Sequence, residues 1–306
     1  MASRATVIVN PAAGRGRGAR ALPAVREAFA AVGITDIRVT ASKADERTIA
    51  ARAIDEGATT VVAVGGDGTW SNVANAILSA GAGDQVRLGL IAAGTGNDFA
   101  KTVGAPASDF AATAKLVADE SETRVDVGHI EDQYFLNIAG FGFDIAVLED
   151  IPSIPWLKGD AVYIYSALRQ LVGYGGVDID ITSPAGRRGA TRHLMLILAN
   201  AKNFGGAFRI APHASLTDGA LDAISIHDAS TLRRLKLFGA AARGTHIGQQ
   251  EVVTEAASSF TIHFAVPPAY ETDGEYRQAS SADVVVRCVA GALRVVAPTP
   301  PTPPAR

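Results

Sequence analysis

Gly65-Gly66-Asp67-Gly68-Thr69 follows an apolar run from Thr59 to Val64 and precedes apolar residues repeated at helical spacing. Glycines at a strand-to-helix junction let backbone N–H groups close on an anion, and the helix N-terminus adds roughly half a positive charge to the same spot. The ligand this predicts is a phosphate. A carboxylate inside the turn would repel a bare phosphate, so Asp67 points to a metal ion carried on the phosphates, and the pattern to a nucleoside triphosphate with Mg²⁺. A tight turn in any α/β protein could hold the same residues, but two further loops repeat the arrangement. Ala5 to Val9 ends in Asn10-Pro11-Ala12-Ala13-Gly14-Arg15-Gly16-Arg17-Gly18, and Leu88 to Ile91 leads to Gly94-Thr95-Gly96-Asn97-Asp98. Ligands of open parallel sheets bind beyond the carboxyl ends of the strands, so three glycine loops on that edge can share one nucleotide. Arg15 and Arg17 either reach phosphate or remain solvated loop charges.

These loops need a frame. Up to about Ser121, short apolar strands (5–9, 36–40, 59–64, 88–91) alternate with helical stretches (19–32, 43–56, 70–80, 108–119), the rhythm of parallel βαβ units. Within 70–80, Val73 with Ile77 and Ala74 with Leu78 place an apolar stripe on one side, as packing on a sheet requires. From Thr123 onward strands dominate, at 124–130, 133–139, 177–182, 190–200, 221–227, 251–255, 258–264 and 283–289, with helices at 160–172 and 230–242. A run of strands after a run of βαβ units argues for a second domain. The expected division is a nucleotide-binding α/β domain over 1–123 and a β-rich domain over 124–296 whose end can return to the first. Residues 297–306 carry five prolines and read as a disordered or polyproline tail.

Composition narrows the classes. A chain of 306 residues can build two domains with sizeable cores, and 48% apolar against 19% charged residues excludes a disordered chain. A net charge of −3 supplies no basic field for nucleic acid. Cys288 has no second cysteine to pair with and lies in an alternating apolar run, as a buried strand residue in a reducing cytoplasm would. The first apolar run is too short for a signal peptide, and runs such as Leu194 to Ala199 fall far below the roughly 20 residues needed to span a bilayer.

With its loops in this order, the chain resembles the diacylglycerol kinase catalytic family, in its soluble bacterial branch. The resemblance rests on the Asn-Pro…Gly loop, the Gly-Gly-Asp-Gly-Thr turn and Gly94 to Ala100. It extends to Asn200-Ala201-Lys202-Asn203-Phe204-Gly205-Gly206, Ala211-Pro212, Leu216 to Asp222 and Asp273-Gly274-Glu275, covering about residues 5 to 296. It implies an α/β N-terminal domain with a parallel Rossmann-like sheet, a C-terminal β-sandwich, and a nucleotide cleft between them.

The same resemblance implies ATP with Mg²⁺ as phosphoryl donor and a lipid hydroxyl as acceptor. Asn10, Pro11, Ala12, Ala13, Gly14, Thr40, Gly66, Asp67, Gly68, Thr69, Trp70, Ser71, Asn72 and Thr95 would contact the nucleotide. Asp67, Asp98 and Asp126 would arrange Mg²⁺ mostly through ordered water, in keeping with that ion's reluctance to shed its shell. For Asp126 a turn or capping carboxylate is the alternative. A separate structural metal would take the Asp218 carboxylate and the carbonyls of Ser215 and Ala220, although Asp218-Gly219 alone reads as an ordinary turn. The general base is Asp273 or Glu275, which face one side if the segment is extended; Glu275 ranks first. The family commonly carries Asn-Glu two and three residues after the turn's threonine, whereas Ser71 and Asn72 stand here, so a charged site residue has become a neutral amide.

Expected partners are a lipid substrate at a membrane surface and no nucleic acid; the reading admits a homodimer, in the cytoplasm or at the inner membrane face. Asp150 to Tyr174 is aromatic and apolar beside Lys158 and Arg169, and suits either an interfacial lid or a buried core helix. The six histidines lack metal-ligand spacing and read as structural, and no Gly-x-Ser-x-Gly elbow supports acyl hydrolysis. NAD kinases share the Gly-Gly-Asp-Gly-Thr turn, but their Gly-Ser-Thr-Ala-Tyr signature is absent. A nucleotide- or lipid-binding regulator without catalysis is the remaining rival.

Overall fold

The computed structural model describes residues 4–157 and 160–298; Lys158 and the prolines from Pro300 onward lie outside the described residues. The chain forms two compact units, one reaching to Val127 and taken up again from Ala290, the other running from Gly128 to Val289.

In the first unit, β1 (Ala5–Val9), β2 (Ile37–Val39), β3 (Thr60–Gly65) and β4 (Arg87–Ala92) pair in parallel in the order β2-β1-β3-β4. Arg294 and Val295 add to the far edge, parallel to Arg87 and Leu88. β1 and β3 are buried at every position, which is why they read as continuous apolar runs rather than alternating ones. The helices are α1 (Ala13–Ala30), α2 (Asp45–Asp55), α3 (Asp67–Ser79), α4 (Asp98–Val103) and α5 (Phe110–Ala118). Val25 and Phe29 of α1 and Ala114 and Val117 of α5 pack on Val7, Val9, Val62, Val64 and Ile91. Asp109 caps α5 by accepting the Ala112 N–H at 2.9 Å, a contact of about 1 kcal/mol. Helix α3 begins at Asp67, ahead of its apolar periodicity, because the turn residues are themselves its first helical turn.

The second unit takes in the end of β5 (Thr123–Ile130), then β6 (Gln133–Phe135), β7 (Ile138–Gly142), α6 (Phe143–Asp150), α7 (Asp160–Gly173), β8 (Val177–Ser183), β9 (Gly186–Arg187) and β10 (Thr191–Ala199). β11 (Leu221–His227), α8 (Thr231–Arg243), β12 (Val252–Ala257), β13 (Ser259–His263), β14 (Ala269–Thr272), β15 (Glu275–Gln278) and β16 (Asp283–Val295) follow. Antiparallel pairing gives one layer in the order β15-β14-β7-β10-β11-β12 and another through β8, β13 and β16. Leu196 and Leu198 of β10 face the core between the layers with Phe141, Ile181, Phe260 and Val286. Ile197 and Ala199 face the opposite way, against Phe143, Leu171 and Leu237 of α6, α7 and α8. A strand covered on both faces must be apolar, as this one is from Leu194 to Ala199.

The expected single strand over 133–139 is broken. Leu136 and Asn137 donate their N–H groups to the Asp273 carboxylate, each at 2.8 Å, so the backbone there is satisfied by a side chain rather than by a ladder. The stretch from Asp150 to Tyr174 is buried at some of its apolar positions and exposed at others. Ile154, Val162 and Leu171 are buried, whereas Trp156, Ile164, Tyr165, Leu168 and Val172 are exposed. Cys288 is half-buried on β16 and packs against the sandwich core. Among the described residues no helix is long and apolar enough to cross a membrane.

Candidate active site

In the first unit the three glycine loops are stitched together at the carboxyl ends of β1, β3 and β4. Asn10 donates from Nδ2 to Thr69 Oγ1 at 3.1 Å and accepts the Ala12 N–H at Oδ1, at 3.0 Å. Gly66 and Gly94 touch through their backbones: a Cβ on Gly94 would lie 2.4 Å from the Gly66 Cα, and one on Gly66 2.8 Å from the Gly94 Cα. Gly14 is left-handed, with φ of 55°, and a Cβ there would fall 1.9 Å from the Ala93 carbonyl. Glycine is therefore required at three points where backbones meet. Arg17, one of the two arginines left open by the sequence, donates to the Gly94 carbonyl at 2.5 Å and to Thr95 Oγ1 at 3.3 Å, so it braces one loop against another.

Asp67 accepts the Phe99 N–H at 3.0 Å, which ties the β3 turn to the start of α4. Burial raises its pKa, and the negative charge of Asp98 raises it further. Asp98 is buried and takes a hydrogen bond from Lys101 Nζ at 2.9 Å. Two carboxylates repelling each other in a partly desolvated loop are a donor set suited to a hard divalent cation, so these residues fit Mg²⁺. Asp126 is buried and accepts the Gly291 N–H at 2.7 Å. Among the described residues no three acidic, histidine or cysteine side chains converge to ligate one ion directly. The expected trio is thus not gathered into one shell of direct ligands; an ion there would meet these carboxylates through its water.

The other nucleotide candidates divide. Thr40 is buried at the end of β2, its N–H bonded to Val9, while Pro11, Ala12, Ala13, Gly68 and Ser71 remain at least partly accessible. Trp70 departs from expectation: its side chain is wholly buried and its indole N–H donates to the Ala63 carbonyl at 3.0 Å, so it anchors α3 in the core. Asn72 donates from Nδ2 to Glu46 Oε1 at 3.0 Å. Glu46, in the first turn of α2, is only 3% exposed, and its Oε2 has no hydrogen-bond partner. A carboxylate has therefore returned beside position 72 from another helix, a compensation that no spacing in the sequence announces.

In the second unit, Asp273 and Gly274 form the two-residue loop joining β14 to β15, with φ of 51° and 86°. Two successive left-handed residues make the tight hairpin turn for which Asp-Gly is suited. The Asp273 carboxylate accepts the N–H groups of Leu136 and Asn137 and, at 3.3 Å, of Ile138. That carboxylate is an anchor for the hairpin. Glu275, which opens β15, is half-buried. Elsewhere in the unit, Asp218 Oδ1 accepts the Ala220 N–H at 3.1 Å around a left-handed Gly219, and Ser215 Oγ accepts the Thr217 N–H at 3.3 Å. Burial and the neighbouring Asp218 raise the pKa of Asp222, an acid next to this loop that the sequence reading passed over. Two adjacent carboxyls in an oxygen-rich loop fit a hard cation. Burial lowers the pKa of His246 and holds His193 down to about 4; each bonds a backbone carbonyl, Ile210 at 2.9 Å and Thr191 at 2.8 Å.

Comparison with known proteins gives the arrangement its kinship. Residues 4–130 match the diacylglycerol kinase catalytic domain, and residues 137–297 the YegS C-terminal NAD kinase beta sandwich-like domain. A diacylglycerol kinase of Bacillus subtilis is 28% identical over 275 residues, covering 89% of this chain and 90% of that protein. One from Mycobacterium tuberculosis is 28% identical over 302 residues, 96% of this chain and 95% of its own. The crystal structure of a diacylglycerol kinase from Bacillus anthracis superposes with a TM-score of 0.77 at 22% identity, over 96% of this chain and 97% of that one, a likeness of fold. The α/β unit with its parallel strands and the β-sandwich are thus the two parts of a known architecture, and the chain is a lipid kinase belonging to the diacylglycerol kinase catalytic-domain family.

Proposed function

We propose that this lipid kinase transfers the γ-phosphoryl group of ATP to the free hydroxyl of diacylglycerol or a closely related lipid. The observation that carries the reading is the convergence of three glycine loops, braced by Asn10 and Arg17, around the Asp67 and Asp98 carboxyls. Backbone N–H groups and the start of α3 hold the donor phosphates, with Thr69 and Thr95 as hydroxyl-bearing neighbours. Asp67 and Asp98 would hold, through its water, a Mg²⁺ bound with the nucleotide, and that ion would supply positive charge to the transferring phosphoryl. Glu275 takes the proton from the lipid hydroxyl as its oxygen bonds to the γ-phosphorus, and the bond to the β–γ bridging oxygen breaks to release ADP. Asp273 keeps the turn in place through the N–H groups of Leu136 and Asn137. Ser215, Asp218 and Ala220 would hold a separate structural cation.

The acceptor is confined to a bilayer, and one face of the second unit suits that surface. Of thirteen large apolar side chains exposed among the described residues, seven lie on α7, the loop before it and α8: Trp156, Ile164, Tyr165, Leu168, Val172, Leu232 and Leu235. Helix α7 is apolar on its buried stripe and on its exposed one, which a helix facing water alone does not need. Trp156 packs edge-on to Tyr165 with ring centroids 5.2 Å apart, and Arg234 ties α8 to the end of α7 through the Leu171 and Tyr174 carbonyls. Exposed Lys236 and Arg243 offer charge to anionic headgroups. Leu168→Glu and Leu232→Glu should each cut co-sedimentation with phosphatidylglycerol vesicles severalfold and leave nucleotide binding intact. Unchanged vesicle binding would remove this face from the membrane, and a dimer that the substitutions dissociate would assign it to a second copy of the chain.

The reading as a whole is tested by supplying labelled ATP with Mg²⁺ to diacylglycerol in mixed vesicles, a total lipid extract and NAD in parallel. Label should enter the lipid and not NAD. Label in NAD would support the NAD kinase reading, and tight ATP binding without transfer to any acceptor the binding regulator.

A further inference from the structure

Asp144 and Glu271 come from different elements and meet over Gly140. Asp144 lies in the first turn of α6, and Glu271 is on β14, where it pairs with Gly140 of β7. A Cβ on Gly140 would fall 1.8 Å from Asp144 Oδ2 and 3.3 Å from the Glu271 Cγ, so only glycine admits both side chains. Asp144 is 7% exposed and Glu271 1%. Asp144 Oδ1 and Oδ2 and Glu271 Oε1 are sealed from solvent without a well-formed hydrogen bond. Two buried carboxylates facing each other cannot both carry charge, because each loses its hydration and neither gains a counter-ion. One proton between them turns the repulsion into an O–H···O⁻ bond, a strong hydrogen-bond type.

We propose that Asp144 and Glu271 share one proton and through it clamp the hairpin bearing Glu275 to α6 and β7, which makes them positioning residues for phosphoryl transfer. This rests on Glu275 as the base, but the clamp itself does not. Strand β14 pairs with β7 at Glu271 with Gly140 and Thr272 with Ala139, and the Asp273 N–H donates to the Ile138 carbonyl at 3.2 Å; side-chain anchors reinforce this short seam, the Asp273 carboxylate on one side and the carboxyl pair on the other. The backbone N–H groups of Asp144 and Ile145 favour the charged form of Asp144 and that of Gly274 the charged form of Glu271, but burial outweighs them at both carboxyls. Asp273 adds negative charge beside Glu271, and Tyr174, whose own pKa is pushed up to about 12, feels Asp144 from the end of α7. Arg192, Arg234 and Glu149 act on that tyrosine rather than on the carboxyls. Burial pushes the Asp144 carboxyl up to about 6 and Glu271 well above the usual range, and the proton belongs to the pair rather than to either residue.

The sign of the pH dependence follows. Carboxyls with raised native pKa hold a proton that the unfolded chain has released, so their contribution is complete below about pH 4 and lost as pH rises through about 6 and beyond. Thermal unfolding and single-turnover phosphoryl transfer should be followed from pH 5 to 9 in the unmutated protein, Asp144→Asn and Glu271→Gln. An amide supplies the N–H permanently, so either variant should flatten the fall of Tm with pH, and the alkaline fall of the transfer rate should move up by a pH unit or more. Identical Tm profiles in all three proteins would overturn the shared proton. A flattened Tm profile with an unmoved rate profile would overturn the positioning role. Should the variants fail to fold, infrared spectra of the unmutated protein decide: a protonated carboxyl band must persist above pH 6 and vanish on unfolding, and its absence sinks the proposal. If the unmutated protein phosphorylates no lipid, the kinase reading fails while the unfolding and infrared results stand.

Discussion

Asp67→Ala is expected to abolish Mg²⁺-dependent phosphoryl transfer, a loss of at least the 10²–10³-fold typical of removing one electrostatic contact to a transition state. The alanine variant alone would not isolate the cause, because Asp67 also accepts the Phe99 N–H and so holds the start of α4. Asp67→Asn separates the two roles. An asparagine keeps an oxygen for Phe99 but carries no charge, so it should retain the fold and nucleotide affinity within severalfold while losing most of the turnover. The measurement is single-turnover transfer across a Mg²⁺ titration, with thermal unfolding as the control. Near-normal turnover in the asparagine variant would leave Asp67 as a helix-start ligand and nothing more.

The second large effect belongs to the hairpin. Glu275→Gln preserves size and hydrogen bonding but removes the base, and turnover should fall by roughly 10²-fold or more with ATP binding unaffected. Asp273 differs from it physically. Its carboxylate accepts three backbone N–H groups, each such charge-assisted bond worth about 1.5–3 kcal/mol, so Asp273→Ala should lower Tm markedly and impair turnover through a displaced hairpin. Single-turnover rates at saturating lipid are the proper comparison, since slow product release can hide a lost base. If Asp273→Asn lost turnover with an unchanged Tm while Glu275→Gln was nearly silent, the assignment of base and anchor would be reversed.

The carboxylate missing from position 72 shows how far sequence reasoning reaches. Ser71-Asn72 signalled a lost charge, yet Glu46 lies 26 positions earlier, in the first turn of α2, and hydrogen-bonds the Asn72 amide. Helix-to-helix packing, which has no local spacing, brought them together. Trp70 erred the other way. Its place in a glycine turn made it look like a ligand contact, but a helix that starts inside the turn carries its fourth residue to the core side.

Local physics fixed what the chain could announce by itself. Glycine loops after apolar runs, the 3.6-residue stripe of α3 and the Asp-Gly hairpin depend on neighbours in sequence, and each is written within a few residues. Strand lengths were less legible where a distant side chain replaced a ladder bond, as Asp273 does at Leu136 and Asn137. The pairing of Asp144 with Glu271 was wholly silent, for the two are 127 residues apart and neither lies in a recognisable motif. Their meeting depends on β7 beside β14, on α6 folding back, and on one glycine leaving room between them. Burial, which turns two ordinary acids into a proton-sharing pair, is a property of the assembled sandwich and of no segment within it.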